Sequence, residues 1–151
     1  MKINQIIQQP EGRTIEFKEG LPKKSDLNKT IVAFANDAGG TLVLGVKDDP
    51  RKVTGILEEE LVTLEEKISS LIHDNCQPTI LPDISFQNIE GKYLIVIRIV
   101  KGNSPPYHLK NKEETEGTYI RVGSSNRKAT PELLEELYRK RSNISFDSVA
   151  T

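Results

Sequence analysis

The chain has 151 residues, 36% of them hydrophobic and 28% charged, with a formal net charge of −1 and a pI near 6.2. This length suffices for one substantial core, and the near-neutral charge excludes global attraction for nucleic acid, so that such binding needs a local basic patch. No apolar run is long enough to span a membrane, and a single cysteine excludes an internal disulfide and favours a reducing, cytoplasmic location.

The first third of the chain predicts a strand, a long helix and a core strand. Residues 14–18 alternate between apolar and polar side chains, which is the pattern of a half-buried strand. The apolar residues between Leu27 and Ala38 recur at helical spacing, and Gly39-Gly40 then ends the helix. The run Thr41–Val46 is apolar without alternation, which predicts a strand that is covered on both faces.

The middle of the chain predicts two hairpins and a second amphipathic helix. Residues 52–56 form a short strand that pairs with the preceding one, and residues 61–72 have helical periodicity. Two strands, 84–89 and 93–100, flank Glu90-Gly91 as in a β-hairpin. No period survives from residue 102 to residue 117, which predicts a long mobile loop.

The last third predicts a strand, a polar turn and a final helix. Residues 118–122 form the strand and residues 123–128 the turn, and Thr130 caps a helix that has Pro131 at its first position. We expect one domain over residues 1–144. Residues 145–151 are expected to begin a linker to a further, C-terminal region.

Three carboxylates are candidates for a metal site. Glu11 and Glu16 belong to the first strand region, and Asp48 follows the next strand, so the three converge if those strands are neighbours. Converging carboxylate oxygens suit Mg²⁺ or Mn²⁺, which can activate water or stabilise a phosphoryl oxyanion. The alternative is chance proximity among 22 acidic residues, with Glu16 pairing with Lys18 or Arg13 across strands.

The polar turn is a candidate phosphate site. Its backbone N–H groups, together with Arg127 and Lys128, could hold a phosphate, and Tyr119 could stack on a base. The alternative is an ordinary solvated connection between strand and helix. The chain contains no phosphate-binding G-x-x-x-x-G-K-[S/T] loop. His73 and Cys76 lack the further ligands of a zinc site, so we expect a core position at a helix end for Cys76.

Taken together, four segments resemble the Schlafen AlbA-like domain. They are Glu11-x-x-x-x-Glu16-Phe17-Lys18, the segment Ile31-Val-Ala-Phe-Ala-Asn-Asp-Ala-Gly-Gly-Thr41, the segment Gly45-Val-Lys-Asp-Asp49 with Gly55, and Tyr119-Ile-Arg-Val-Gly-Ser-Ser125. The resemblance implies an α+β fold in which a mixed, largely antiparallel sheet is packed by three main helices. It also implies a nucleic-acid ligand, and a place at the N-terminus of a bacterial transcriptional regulator or helicase-related ATPase.

In animal Schlafen proteins, similar domains carry an endoribonuclease site of three carboxylates. The resemblance maps that site onto Glu11, Glu16 and Asp48, with Lys18 nearby. Because those nucleases combine two such lobes, activity here would require a homodimer or a further domain.

The leading hypothesis is a cytoplasmic nucleic-acid-binding domain, with DNA favoured and RNA as the other ligand. Its expected contact residues are Lys18, Tyr119, Arg121, Ser124, Ser125, Arg127 and Lys128, with Tyr119 and Arg121 lining the surface. The alternatives are a Mg²⁺- or Mn²⁺-dependent endoribonuclease that uses the three carboxylates, and a domain for protein interaction or dimerisation.

Overall fold

The computed structural model describes residues 2–150, with side chains through Arg141. The helices are α1 (Ile3–Ile6), α2 (Lys24–Asn36), α3 (Leu61–Asn75), α4 (Glu114–Gly117) and α5 (Pro131–Ala150). The strands are β1 (Ile15–Lys18), β2 (Gly40–Leu44), β3 (Val46–Lys47), β4 (Lys52–Val53), β5 (Cys76–Gln77), β6 (Asp83–Ile89), β7 (Lys92–Ile99), β8 (His108–Leu109), β9 (Tyr119–Val122) and β10 (Ser125–Lys128). The three long helices, α2, α3 and α5, are the three that the sequence predicted.

A four-stranded sheet with the order β1-β2-β7-β6 forms the centre of the fold. β1 runs parallel to β2, because helix α2 crosses between them, and the other neighbours are antiparallel. Three two-stranded ribbons, β3–β4, β5–β8 and β9–β10, surround this sheet. The expected α+β fold with a mixed, largely antiparallel sheet is confirmed.

The sheet is buried on both faces, as the unbroken apolar run in β2 predicted. Leu42 and Leu44 belong to the larger core cluster beneath α2 and α3, whereas Val43 belongs to a smaller cluster on the opposite face, which includes Ile6 of α1. All four side chains are almost fully buried. Successive strand residues point to opposite faces, so that a strand covered twice has no polar positions.

Gly45 separates the central strand from the β3–β4 hairpin. Its φ of +103° lies in the region that glycine adopts most readily, and a Cβ at this position would lie 2.8 Å from a methyl carbon of Leu94. The carbonyl of Gly45 accepts hydrogen bonds from the N–H groups of Thr54 and Gly55, both at 2.8 Å. The hairpin begins directly after Gly45. Asp48 lies in the turn between its two strands, β3 and β4.

The prediction of a mobile loop at residues 102–117 was wrong. The stretch from Pro105 to Leu109 is buried, and it is followed by α4. The amide nitrogen of Asn36 donates to the carbonyls of Tyr107 and Tyr119, at 2.8 and 2.9 Å, and its amide oxygen accepts from the N–H of Tyr107 at 2.6 Å. Asn36 thus pairs both backbone groups of Tyr107, and β8 pairs with β5, so long-range contacts order a segment that has no periodicity of its own.

The polar turn was also predicted too long. Only Gly123 and Ser124 form a turn, and residues 125–128 form β10, which pairs with β9. The start of α5 is confirmed, since the hydroxyl of Thr130 accepts a hydrogen bond from the N–H of Leu133 at 3.2 Å. The expected linker at residues 145–151 overlaps the end of α5, and Thr151 lies outside the described residues, so the linker stays a prediction.

Candidate functional site

Glu11, Glu16 and Asp48 come from two neighbouring parts of the fold. Glu16 is on β1, Glu11 precedes that strand, and Asp48 lies in the β3–β4 turn. Burial raises the pKa of Glu11, and the negative charges of Asp48 and Glu16 raise it further, against the lowering effect of a backbone hydrogen bond from Phe17. Asp48 and Glu16 are thus close enough to Glu11 for their charges to disfavour its ionised form.

Each of these carboxylates nevertheless has a separate partner. Glu11 accepts a hydrogen bond from the N–H of Phe17 at 2.8 Å, Glu16 from Arg121 at 2.8 Å, and Asp48 from Arg51 at 2.9 Å. Among the residues that the structure describes, no group of three or more His, Cys, Asp or Glu side chains is placed to hold a metal ion. In this arrangement the three acids do not fit Mg²⁺ or Mn²⁺, and their catalytic role stays a prediction.

The expectation that Arg121 lines the surface was wrong. Its side chain has no exposed area, and its guanidinium donates to Glu16 at 2.8 Å and to the side-chain oxygen of Asn126 at 2.9 Å. It also donates to the carbonyls of Gly12 and Ile15, at 3.1 and 3.3 Å. A guanidinium with these four acceptors is a structural group, and in this arrangement it has no free face for a phosphate.

Arg121 and Glu16 belong to a closed ring of four polar side chains. The amide nitrogen of Asn126 donates to the hydroxyl of Thr30 at 2.9 Å, and that hydroxyl lies 3.4 Å from the second carboxylate oxygen of Glu16. The ring joins β1, α2, β9 and β10, and it fixes the β9–β10 ribbon to the body of the domain. Sequence reasoning missed Asn126 and Thr30, because nothing local marks two neutral polar residues 96 positions apart as partners.

Arg51 is a second arginine with a structural role that the sequence analysis did not identify. Its guanidinium carbon lies 3.9 Å from the centre of the Phe17 ring, and it donates to the carbonyls of Ile7 and Gln9 at 2.6 and 2.7 Å. Together with its bond to Asp48, these contacts hold the N-terminal segment against the β3–β4 hairpin. The carboxylate of Asp48 is therefore engaged in a structural pair.

The remaining candidates for nucleic-acid contact lie on the surface, mostly at the β9–β10 ribbon. Lys18, Ser124, Ser125, Arg127 and Lys128 are exposed, and Tyr119 is half-buried. Arg127 is within 3.5 Å of the Ser125 hydroxyl, and within the described part of the chain no carboxylate pairs with it. Alternation along the ribbon places Arg127 on the face opposite Asn126, which points to the polar ring.

Two of these candidates, Lys128 and Tyr119, already have partners. The ammonium of Lys128 donates to Glu116 at 2.6 Å, and that hydrogen bond raises the pKa of Lys128 and lowers the pKa of Glu116. The ammonium of Lys29 lies 5.2 Å from the centre of the Tyr119 ring. A nucleic-acid base could stack only on the part of the Tyr119 ring that Lys29 does not cover. A phosphate would compete with Glu116 for the ammonium of Lys128.

Comparison with known families identifies the domain type. The model of the family described as Schlafen, AlbA_2 matches residues 11–130. A 73-residue stretch is 30% identical to the uncharacterized ATP-binding protein UU034 of Ureaplasma parvum, covering 46% of this chain and 21% of that protein. The chain thus matches about a fifth of the length of this curated relative.

Two solved structures share the fold. The DIP2311 protein of Corynebacterium diphtheriae aligns with a TM-score of 0.61 and 19% identity, over 84% of this chain and 27% of that one. The N-terminal domain of a Nitrosomonas europaea protein, named for its relation to the ATP-dependent DNA helicase RecG, aligns with a TM-score of 0.56 and 23% identity, over 84% and 90% of the two chains. Within the residues that the structure describes, no helix is both long and apolar enough to cross a bilayer.

Proposed function

The chain belongs to the Schlafen AlbA_2 family, and from this premise we propose that it binds nucleic acid, with DNA favoured, through the β9–β10 ribbon. The contacts would come from Ser124, Ser125 and Arg127, and Lys128, at the end of the ribbon's inner face, would join once it leaves Glu116. Lys18 and Tyr119 would extend the surface toward β1. Arg121 acts by holding the ribbon in place.

The observation that carries the proposal is that the inner face of the ribbon is fixed to the domain while its exposed outer face carries the guanidinium of Arg127. Arg121 and Asn126 fasten the inner face to Glu16 and Thr30, while Arg127 and Ser125 on the outer face are exposed. A two-stranded ribbon is narrow enough to enter the major groove of B-DNA. Because the ribbon is already fixed to the domain, binding does not also have to order its backbone.

The similarity to other proteins supports a nucleic-acid role for a domain inside a larger protein. The Nitrosomonas europaea domain is the N-terminal part of a helicase-related protein, and this chain corresponds to a fraction of the Ureaplasma protein. We propose accordingly that the domain directs a cytoplasmic bacterial regulator to DNA, with downstream domains of the same polypeptide as its partners.

A salt titration tests the proposal. Binding of a fluorescent DNA duplex is measured by anisotropy over a range of salt concentrations, and the slope of log K against log salt reports the number of phosphate contacts. Arg127→Ala should reduce that slope by about 0.9, the value for one lost contact with B-DNA. Lys67→Ala, which removes an equal charge from the exposed surface of α3, is the matched control and should leave the slope unchanged.

Three outcomes would contradict the proposal. They are no binding at low salt, binding that does not respond to salt, and equal slopes for the two variants. A preference for RNA over DNA in the same titration would change the ligand but keep the surface. The endoribonuclease alternative has weaker support, because Glu11, Glu16 and Asp48 each have a structural partner.

A further inference from the structure

The two edge strands of the central sheet differ in whether their outward-facing backbone groups have hydrogen-bond partners. The sheet ends at β1 on one side and at β6 on the other. An edge strand presents unpaired N–H and C=O groups, which can pair with a strand of another molecule unless something covers them. Whether these N–H and C=O groups are already hydrogen-bonded therefore shows which edge strand can pair with another molecule.

The β1 edge is closed by side chains. The N–H of Phe17 donates to Glu11, and the carbonyl of Ile15 accepts from Arg121 and from the N–H of Gly12. Both Phe17 and Ile15 have their backbone groups on the side away from β2, since the β2 bonds go to Thr14 and Lys18. Glu11 and Arg121 thus close this edge.

The β6 edge has no such cover. The N–H of Ile56 donates to the carbonyl of Tyr93, so the backbone of Tyr93 faces away from β6. Backbone direction alternates along an antiparallel pair, and the register Asn88↔Tyr93 then places the N–H and C=O groups of Ile84, Phe86 and Asn88 on the outer edge. Within the described residues, no backbone or side-chain group bonds to them.

Beyond Pro82 and Asp83 at its start, β6 also lacks the features that usually protect an edge. It pairs with β7 at seven consecutive positions without a bulge, and no Lys, Arg or Pro lies between Asp83 and Ile89. Ile84 and Phe86 are only partly buried, and Leu81, just before the strand, is 79% exposed. Residues 84–89 are uncharged, so that two copies of this strand would not repel each other.

We propose that β6 pairs in antiparallel orientation with β6 of a second copy of this chain. The matching register has a twofold axis at Phe86, which opposes Phe86 of the partner and places Ile84 opposite Asn88. In this register every outward-facing residue meets another outward-facing residue, and each opposed pair exchanges two bonds, about six in all. The two sheets then continue as one, and the partly buried side chain of Phe86 meets that of the second copy at the axis.

The first test is the mass in solution. Sedimentation equilibrium of the chain without nucleic acid should give twice the 16.9 kDa of one copy. Asn88→Pro removes an outward N–H without removing a bond to β7 and should shift the mass toward the monomer. Asn88→Ala is the matched control, because it loses the same side-chain bond to the N–H of Gly91 but keeps the backbone donor, and it should remain dimeric.

The second test needs no variant. Amide hydrogen exchange at Ile84, Phe86 and Asn88 should slow by about tenfold or more when the protein is concentrated from a dilute to a dimeric sample, while exposed amides such as that of Ser124 stay unchanged. A monomer at all concentrations would overturn the proposal. A dimer in which these three amides exchange at the dilute rate would also overturn it, because another surface would then hold the copies together.

Discussion

The carboxylate of Glu16 accepts a hydrogen bond of 2.8 Å from the guanidinium of Arg121, although 105 positions separate the two residues. Of the two side chains, Arg121 has no exposed area and Glu16 has 9%. The pair joins the first strand of the sheet to the ribbon proposed to bind nucleic acid. Glu16 was a candidate catalytic residue and Arg121 a candidate contact residue. In the structure both support the ribbon that is proposed to bind nucleic acid.

Arg121→Ala should destabilise the fold by about 3–5 kcal/mol, because it leaves the charge of Glu16 buried without a partner. The free energy of unfolding is obtained from urea denaturation of each variant. Arg127→Ala removes an exposed guanidinium from the neighbouring strand and should stay within about 0.5 kcal/mol of the wild type. Equal losses for the two variants would contradict the structural role of Arg121.

The difference between these two arginines shows where sequence reasoning reached its limit. The core strand from Thr41 to Leu44 was predictable, because its burial depends on a local run of apolar residues. Arg121 lies in a strand with polar neighbours, and only the distant Glu16 makes its burial favourable. Long-range polar pairing leaves no period in the sequence, so the surface position was the natural expectation for a charged residue.

The stretch from Pro105 to Leu109 illustrates the same limit for the backbone. It is held by the distant side chain of Asn36 on α2 and by the pairing of β8 with β5, neither of which a local pattern reveals. The charges of Asp48 and Glu16 act on Glu11, so the three candidate carboxylates are near one another, but their role stays a prediction. Their separate partners, Phe17 and Arg121, could not be foreseen from spacing.

Glu116→Gln should strengthen DNA binding about two- to fivefold, if the ribbon binds as proposed. The substitution removes the carboxylate that holds Lys128 at 2.6 Å, and an exposed ion pair of this kind contributes up to about 1 kcal/mol. Affinity is measured by anisotropy at fixed salt. Glu113→Gln removes an equal charge from an exposed acid three positions before Glu116, so a similar gain there would mean that only net charge matters.

Mg²⁺ and Mn²⁺ should leave the thermal midpoint of the chain unchanged. A cation that binds the folded state alone adds RT ln(1 + [L]/Kd) to its stability, which is about 2.7 kcal/mol at a hundred times Kd. The carboxylates of Glu11, Glu16 and Asp48 would first have to leave Phe17, Arg121 and Arg51. A rise in the midpoint for the wild type that is absent in Glu16→Gln would show that the metal site assembles after all.

The thiol of Cys76 should react with Ellman's reagent only after the domain unfolds. Burial raises its pKa to about 12, and its sulfur lies 3.4 Å from the side-chain oxygen of Asn28. Because the thiolate is the reactive form, both protonation and burial slow the reaction near neutral pH. Absorbance is followed with and without urea, and a rapid reaction of the folded chain would contradict the buried position.

Glu11→Gln should stabilise the domain at neutral pH and lose that advantage in acid. Burial and the charges of Asp48 and Glu16 raise the pKa of Glu11 above its ordinary value of 4.5. A carboxyl whose pKa is raised by folding contributes stability that is fully present below its unfolded pKa and is lost as the pH rises through the folded value. The glutamine keeps an oxygen for the N–H of Phe17 but carries no charge, so the thermal midpoints should converge below about pH 4.5.

Asp37→Asn is the control for Glu11→Gln, because folding shifts the pKa of Asp37 in the opposite direction. A hydrogen bond from Arg13 lowers the pKa of Asp37, against the raising effect of burial, so its contribution is present at neutral pH and is lost as the pH falls through the folded value. Asp37→Asn should therefore be less stable than the wild type at neutral pH, with a difference that shrinks in acid. If Glu11→Gln followed the same direction as Asp37→Asn, the carboxylate of Glu11 would have to be stabilised by its surroundings, and its place beside two other acids would be wrong.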